Sequence, residues 1–298
     1  GYCRSELLFA VDPAANIRDV SFTRLAFGFG QRLSVIIRRK AQNSRQATRP
    51  GYSLMALAQH LRADPNTLAQ RFLSLRTGRD VAALLEIDYS HFTYLIYRSH
   101  PTWRYRTFEI QKRSGGTRII DAPNNSFRIL QSKLHEVLKR VYRRKTPAHG
   151  FTAGRGIISN ANPHTKKRFV LNLDLQDFFP SINFGRVRGM FMGIPYRLPG
   201  EAATVLAQIC CFENRLPQGA PTSPIISNMI CAKLDSDLWN LASEFQCFYT
   251  RFADDITFST TQPRFPAALA VLERGQKPVS AHVGDRLRAV IEKNGFNI

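Results

Sequence analysis

The chain has 298 residues, 44% of them hydrophobic, enough for a substantial core and about two lobes. Its 42 Lys and Arg against 22 Asp and Glu leave a net charge of +20, so a polyanion with a phosphate backbone is the expected partner. Five cysteines without a CxxC pair exclude a disulfide framework and a structural zinc site, and no apolar stretch is long enough for a membrane helix.

Residues 1–50 read as an irregular basic extension, densest at Arg38-Arg39-Lys40. The apolar run Leu7–Val11 is too short for a signal-peptide core, and a reducing cytoplasm is the expected setting. A chain that starts at Gly1 and stops at Ile298 inside a structural pattern reads as a piece at both ends. Leu54, Leu57 and Leu61, then Leu68, Phe72 and Leu75, recur at helical spacing, with Asp64-Pro65-Asn66 dividing two helices. These belong to a helical N-terminal module, residues 51–103.

Tyr105–Pro123 alternates around Ser114-Gly115-Gly116 and predicts a β-hairpin. Phe127–Arg144 predicts a helix with Phe127, Leu130, Leu134, Val137 and Val141 on one face and Lys133, Lys139, Arg140, Arg143 and Arg144 on the other. From Arg104 to Arg168 sixteen Lys or Arg face only three acids, the pattern of a binding surface. Phe169–Leu175 fits a buried strand, and Cys210 and Cys211 fit a core. Ser223–Phe245 predicts one long helix striped by Ile226, Ile230, Leu234, Leu238 and Leu241. Phe248–Ser259 predicts two short strands with Asp254-Asp255 at their turn, and Arg286–Asn294 a last helix capped by Gly295. The order suits an α+β fold, a sheet with helices on one face in the ferredoxin-like manner, its final strand falling at or after Ile298.

Carboxylates in apolar strands need an explanation in so basic a chain. Asp174 ends its strand, and Asp254 and Asp255 sit side by side, where mutual repulsion is costly without a cation. Magnesium, a hard ion that takes oxygen ligands, is the natural candidate. Two such ions about 3.5–4 Å apart serve phosphoryl transfer to a hydroxyl. An isolated Asp-Asp pair is usually an ordinary turn, so the weight rests on Asp174 and on what lies between.

Those residues resemble a known family. Phe252-Ala253-Asp254-Asp255 resembles the YxDD box of reverse transcriptases, with Phe for Tyr. Leu173-Asp174-Leu175-Gln176-Asp177-Phe178-Phe179-Pro180-Ser181-Ile182 resembles their first palm motif, and Leu216-Pro217-Gln218-Gly219-Ala220-Pro221-Thr222-Ser223-Pro224 their LPQG motif. Order and spacing agree over about residues 85–298. Asn160-Ala161-Asn162-Pro163-His164 resembles the NAxxH signature of bacterial retron reverse transcriptases, preceded by a matching His149-Gly150-Phe151.

The resemblance implies a right-hand polymerase fold: fingers at 104–168 and a ferredoxin-like palm at 169–298 after the helical module. A lysine-bearing segment and a thumb follow in the family, and this chain holds no thumb before Ile298. Asp174 and Asp254 would ligate two Mg2+ ions, with Asp255 and the Leu175 carbonyl in support. Lys112 (or Arg113 in its place) and Arg118 would grip the triphosphate, and Gln218 and Gly219 would border nucleotide and template. Phe179 would crowd a ribose 2′-OH, or pack in the core, or do both. Asn160 and His164 would serve RNA binding, for which a structural role is the competing reading; Arg140, Arg143, Arg144, Lys166 and Lys167 supply cations for the same RNA. Retron membership further implies a cognate non-coding RNA, dNTPs, priming from an RNA 2′-OH to give a branched RNA–DNA product, and phage defence with an effector protein in many members. A group II intron-like or other defence enzyme, and a non-catalytic RNA-binding scaffold, are the alternatives.

Overall fold

Asp64-Pro65-Asn66 starts a helix. In the computed structural model, which describes residues 58–111, 115–272 and 281–298, residues 58–64 are non-helical. The Asp64 carboxylate accepts from the Asn66 and Thr67 amides at 2.9 and 3.2 Å, and Pro65 occupies the first helical position, where its missing N–H costs nothing. Helix α1 is therefore Pro65–Leu73. Leu54, Leu57 and the 1–50 extension lie outside the described residues. Thr77 and Asp80 form a capping box for α2, Gly78–Leu84. Short helices α3 (Tyr89–Thr93) and α4 (Pro101–Arg104) follow, with a π-helical turn at Tyr94–Arg98 between them.

The expected hairpin is present. Strand β1 (Tyr105–Gln111) pairs antiparallel with β2 (Thr117–Pro123), and Gly115 and Gly116 take the positive φ angles (89° and 80°) of its turn. Helix α5, Asn125–Val141, is capped by Asn124, whose side-chain carbonyl accepts from the Phe127 amide at 2.8 Å. It buries Phe127, Leu130, Leu134 and Val137 as the periodicity predicts.

Lys133 departs from the expected basic face: it is fully buried. Its Nζ donates to the Leu85 carbonyl (2.9 Å) and the Glu86 carbonyl (3.3 Å), just past the end of α2. Those carbonyls carry the negative end of the helix dipole, so an ammonium fits where a neutral donor would gain less. Arg140, Arg143 and Arg144 stay exposed.

After α6 (Ile157–Ala161) and a 3-10 turn, Asn162–His164, comes β3, Phe169–Asp174. Helices α7 (Phe178–Ser181), α8 (Phe184–Met192) and α9 (Gly200–Cys210) lead to α10 (Ser223–Ile230) and α11 (Ala232–Glu244). The long helix expected from Ser223 to Phe245 is thus two, joined by a single turn residue, Cys231, at φ −71°, ψ −5°. The apolar stripe survives the break, with Ile226, Leu234, Leu238 and Leu241 all buried and Ile230 half-buried.

Strands β4 (Phe248–Phe252) and β5 (Asp255–Thr260) complete a three-stranded antiparallel sheet of order β3-β5-β4. That is the order of the first three strands of a ferredoxin-like sheet. A small pair, β6 (Ala270–Leu272) with β7 (Ala281–Val283), precedes α12, Asp285–Lys293. Gly295 ends α12 as predicted, at φ 72°: its N–H donates to Glu292 O and that of Phe296 to Ile291 O, a Schellman closure. Arg186 then clips this end in place by donating to the carbonyls of Asn294 (2.8 Å) and Gly295 (2.6 Å). Cys210 is buried and Cys211 half-buried, both free thiols, and burial pushes Cys211 up to about 12. No helix among the described residues is long and apolar enough to cross a membrane.

Candidate active site

The sheet register brings the acids together. Asp174, last residue of β3, is the cross-strand partner of Asp255, first residue of β5. Phe252 of β4 pairs with Asp255 from the other side, so Ala253 and Asp254 form a two-residue turn. The Leu175 amide donates to the Asp254 carbonyl at 3.2 Å, which joins the end of β3 to that turn. Burial, then the neighbouring Asp254 and Asp174 charges, push Asp255 up to about 7. Burial also raises Asp254, and Arg118 is near enough to oppose that rise.

Ala253 holds φ 60°, a left-handed conformation that costs a non-glycine residue roughly 1–2 kcal/mol. The turn is held from beneath by groups the sequence reading did not single out. Arg251 is fully buried and donates from Nη1 to the Ala253 carbonyl at 2.8 Å. Its Nε and Nη2 meet the buried Asp235 carboxylate at 2.7 and 2.8 Å, and Tyr249 donates to the same carboxylate at 2.8 Å. Nη2 also donates to the Asn228 side-chain carbonyl, and the Asn228 amide donates to Gly150 O at 2.9 Å. Gly150 lies directly against the turn: a Cβ there would stand 2.3 Å from the Ala253 nitrogen. Residues 147–149 run beside β4, with the Arg251 amide donating to Pro147 O and the His149 amide to Arg251 O, both at 2.8 Å. An arginine inside a buried strand and an aspartate beside Leu234 on the apolar stripe were the available signals. Their pairing is a tertiary fact.

The hairpin residue Arg118 is half-buried on β2, opposite Ile110; Lys112 and its alternative Arg113 lie outside the described residues. The Gln218 carbonyl accepts from the Asp121 amide at 2.9 Å, and its buried side-chain Oε1 has no hydrogen-bond partner. Gly219, at φ 123°, makes its close approach to β2, where a Cβ would meet Asp121 O and Ile120 Cγ2 at 3.1 Å. Asp121 in turn is buried, paired with Arg215 (3.2 Å) and accepting from Thr107 Oγ1 (2.8 Å). The LPQG segment thus seats the hairpin on the rest of the fold. Phe179 is half-buried, its ring 5.3 Å from Phe178 and 6.2 Å from Phe151 between centroids.

His164 lies between β4 and β5. Its ring is buried, with Nδ1 hydrogen bonded to Ser259 Oγ and Nε2 to Thr250 Oγ1, both at 2.7 Å. Burial, with His149 and Lys167 adding to it, lowers the imidazole to about 4. Both polar edges are used by β4 and β5, so the ring offers none to an RNA. Asn160 sits beside it, its backbone carbonyl accepting from Thr250 Oγ1 at 3.5 Å and its side-chain Oδ1 buried without a partner. The motif fastens α6 to the sheet. Lys166 is exposed, and Lys167 places Nζ 3.6 Å from the centre of the Phe248 ring.

Residues 110–277, more than half of the chain, match the family described as reverse transcriptase (RNA-dependent DNA polymerase). The chain belongs to the reverse transcriptase family. Within it the similarity runs to retron members of bacteria. The Retron Mx65 reverse transcriptase of Myxococcus xanthus is 39% identical over 204 residues, 62% of this chain and 47% of its own length. The Retron Ec86 reverse transcriptase of Escherichia coli is 37% identical over 202 residues, 65% of this chain and 61% of its own. The Retron Mx162 reverse transcriptase of M. xanthus is 36% identical over 213 residues, 65% and 42% respectively. The chain spans about half the length of these relatives.

Membership of the reverse transcriptase family implies dependence on divalent metal ions. Among the described residues no group of three or more His, Cys, Asp or Glu side chains is gathered closely enough to hold a metal ion by itself. The residues nonetheless fit a hard cation. Asp174, Asp254 and Asp255 lie at one sheet end as an all-oxygen set, and burial, then the two neighbouring charges, raises Asp255.

Proposed function

We propose that this chain is the fingers-and-palm part of a retron reverse transcriptase that makes DNA on a cognate structured RNA with two Mg2+ ions. The observation that carries the reading is the pairing of Asp174 with Asp255 beside the Asp254 turn, in a member of this family. When bound, the two ions would activate the attacking hydroxyl and stabilise the leaving oxygens. Asp174 and Asp254 hold them, with Asp255 and the Leu175 carbonyl in support. Arg118, with Lys112 or Arg113 from the hairpin, grips the triphosphate, and Gln218 and Gly219 border it. Phe179 excludes a ribose 2′-OH.

The helical module (51–103), fingers (104–168) and palm (169–298) divide these tasks. Exposed Arg140, Arg143, Arg144 and Lys166, with Lys167, bind the RNA backbone by neutralising phosphates. On this reading synthesis is primed from an RNA 2′-OH to give a branched RNA–DNA product used in phage defence with an effector protein. The setting is the bacterial cytoplasm.

The test is primer extension on an RNA template by the full natural protein, beside Asp174→Ala and Asp254→Asn. Incorporation of dNTPs that both substitutions abolish, with RNA binding retained, is the expected result. Full activity in either variant, or RNA binding without incorporation by the unmodified protein, overturns the reading in favour of another chemistry or an RNA scaffold.

A further inference from the structure

We propose that Phe151 is a positioning residue for sugar selection, its ring setting the orientation of Phe179 against the incoming nucleotide. The proposal rests on Phe179 acting as the gate against a ribose 2′-OH.

Phe151 combines two costly features. Its backbone is left-handed (φ 55°), unusual for a bulky residue, and the residue is 38% exposed. Filling space in a core explains neither. A strained residue at the edge of a site points to a task there. The ring meets that of Phe179, centroids 6.2 Å apart and planes tilted by 45°.

Phe179 packs against the core and has a buried ring beside it. Its ring sits 5.3 Å from that of Phe178 at 63°, and Phe178 is buried and stacked on buried Phe296 at 5.8 Å. That side cannot yield without disturbing a close-packed interior. Phe151 is the exposed partner of that ring, so its presence limits how far the Phe179 ring can swing.

The backbone of Phe151 is also tied to the aspartate turn. Gly150 O accepts from the buried Asn228 amide (2.9 Å) and from Thr152 Oγ1 (3.1 Å), and Gly150 abuts the Ala253 nitrogen. One short segment therefore references the gate to the same turn that carries Asp254. A sugar gate discriminates by fractions of an ångström, so a shared frame is what the task requires.

The full natural protein is to be assayed for single-nucleotide incorporation with dTTP and with UTP, unmodified and as Phe151→Gly, Phe151→Leu and Phe179→Ala. Glycine suits a left-handed backbone, so Phe151→Gly removes the ring without straining the chain. The readout is the ratio of kcat/KM for dTTP over UTP, in which a general loss of activity cancels. The ratio is expected to fall about tenfold or more in Phe151→Gly, to stay within about threefold in Phe151→Leu, and to collapse in Phe179→Ala. An unchanged ratio in Phe151→Gly beside a collapsed one in Phe179→Ala overturns this proposal and leaves the gate standing. An unchanged ratio in Phe179→Ala overturns the gate and the proposal together. Absence of dTTP incorporation by the unmodified protein overturns the polymerase reading itself, and the proposal with it.

Discussion

Arg251 and Asp235 form a fully buried, two-pronged ion pair directly beneath the turn that carries Asp254. Removing one partner strands the other charge. Asp235→Ala is expected to cost about 3–5 kcal/mol in chemical denaturation. Replacing both residues by apolar ones, Asp235→Leu with Arg251→Met, is expected to restore most of that stability. It also frees the Ala253 carbonyl, so dNTP incorporation should remain depressed in the double variant. Restored stability with restored activity would show that the pair only holds the fold.

Gly150 meets Ala253 where no side chain fits. Since a Cβ would stand 2.3 Å from a backbone nitrogen, Gly150→Ala must move either its own segment or the turn. A drop in dNTP incorporation of about a hundredfold is expected, the scale of a displacement of about 1 Å at a reacting centre. Unaltered single-turnover rates would mean that the segment gives way and the turn does not.

His164 makes stability depend on pH. Its imidazole is lowered to about 4 in the fold and titrates near the ordinary 6.5 when unfolded. The unfolded chain therefore binds the proton first as pH falls. The stability His164 contributes is complete above pH 6.5 and is lost as pH drops through 4, in all about 3 kcal/mol. His164→Gln removes the titrating group, so its melting temperature should vary less than that of the unmodified protein between pH 6.5 and 4. Parallel pH profiles would place the acid sensitivity elsewhere.

Arg118 comes near enough to Asp254 to oppose its rise. Arg118→Ala is expected to raise the KM for dNTPs about tenfold with a smaller fall in kcat, the signature of lost binding. A fall in kcat alone would assign Arg118 to the reacting centre.

Local chemistry was legible in the sequence. Gly115-Gly116 marked the hairpin, Gly295 the end of α12, and a short apolar run the strand that carries Asp174. What escaped was set by distant partners. Lys133 reads as one more cation on a basic helix until the carbonyls after α2 are in place around it. Ser223–Phe245 keeps one apolar stripe through a break that periodicity does not register. The β6–β7 pair is three residues a strand, too short to show alternation. In the site, Asp254 and Asp255 stood out as like charges side by side, and Asp174 as a carboxylate at the end of an apolar run. The Arg251–Asp235 pair was not, because each is anomalous alone and reasonable only together.

The seating of His164 between Ser259 and Thr250 bears on how such sequences are sorted. A signature motif invites the thought that it reads a ligand. In this chain its histidine is a bolt through two adjacent strands, and what it constrains is which hydroxyls those strands carry. Any chain that kept the histidine but replaced both hydroxyl residues with valine would bear the signature and lose the fastening. The meaningful unit is the trio, spread over nearly a hundred residues, and a search for five contiguous letters samples one corner of it.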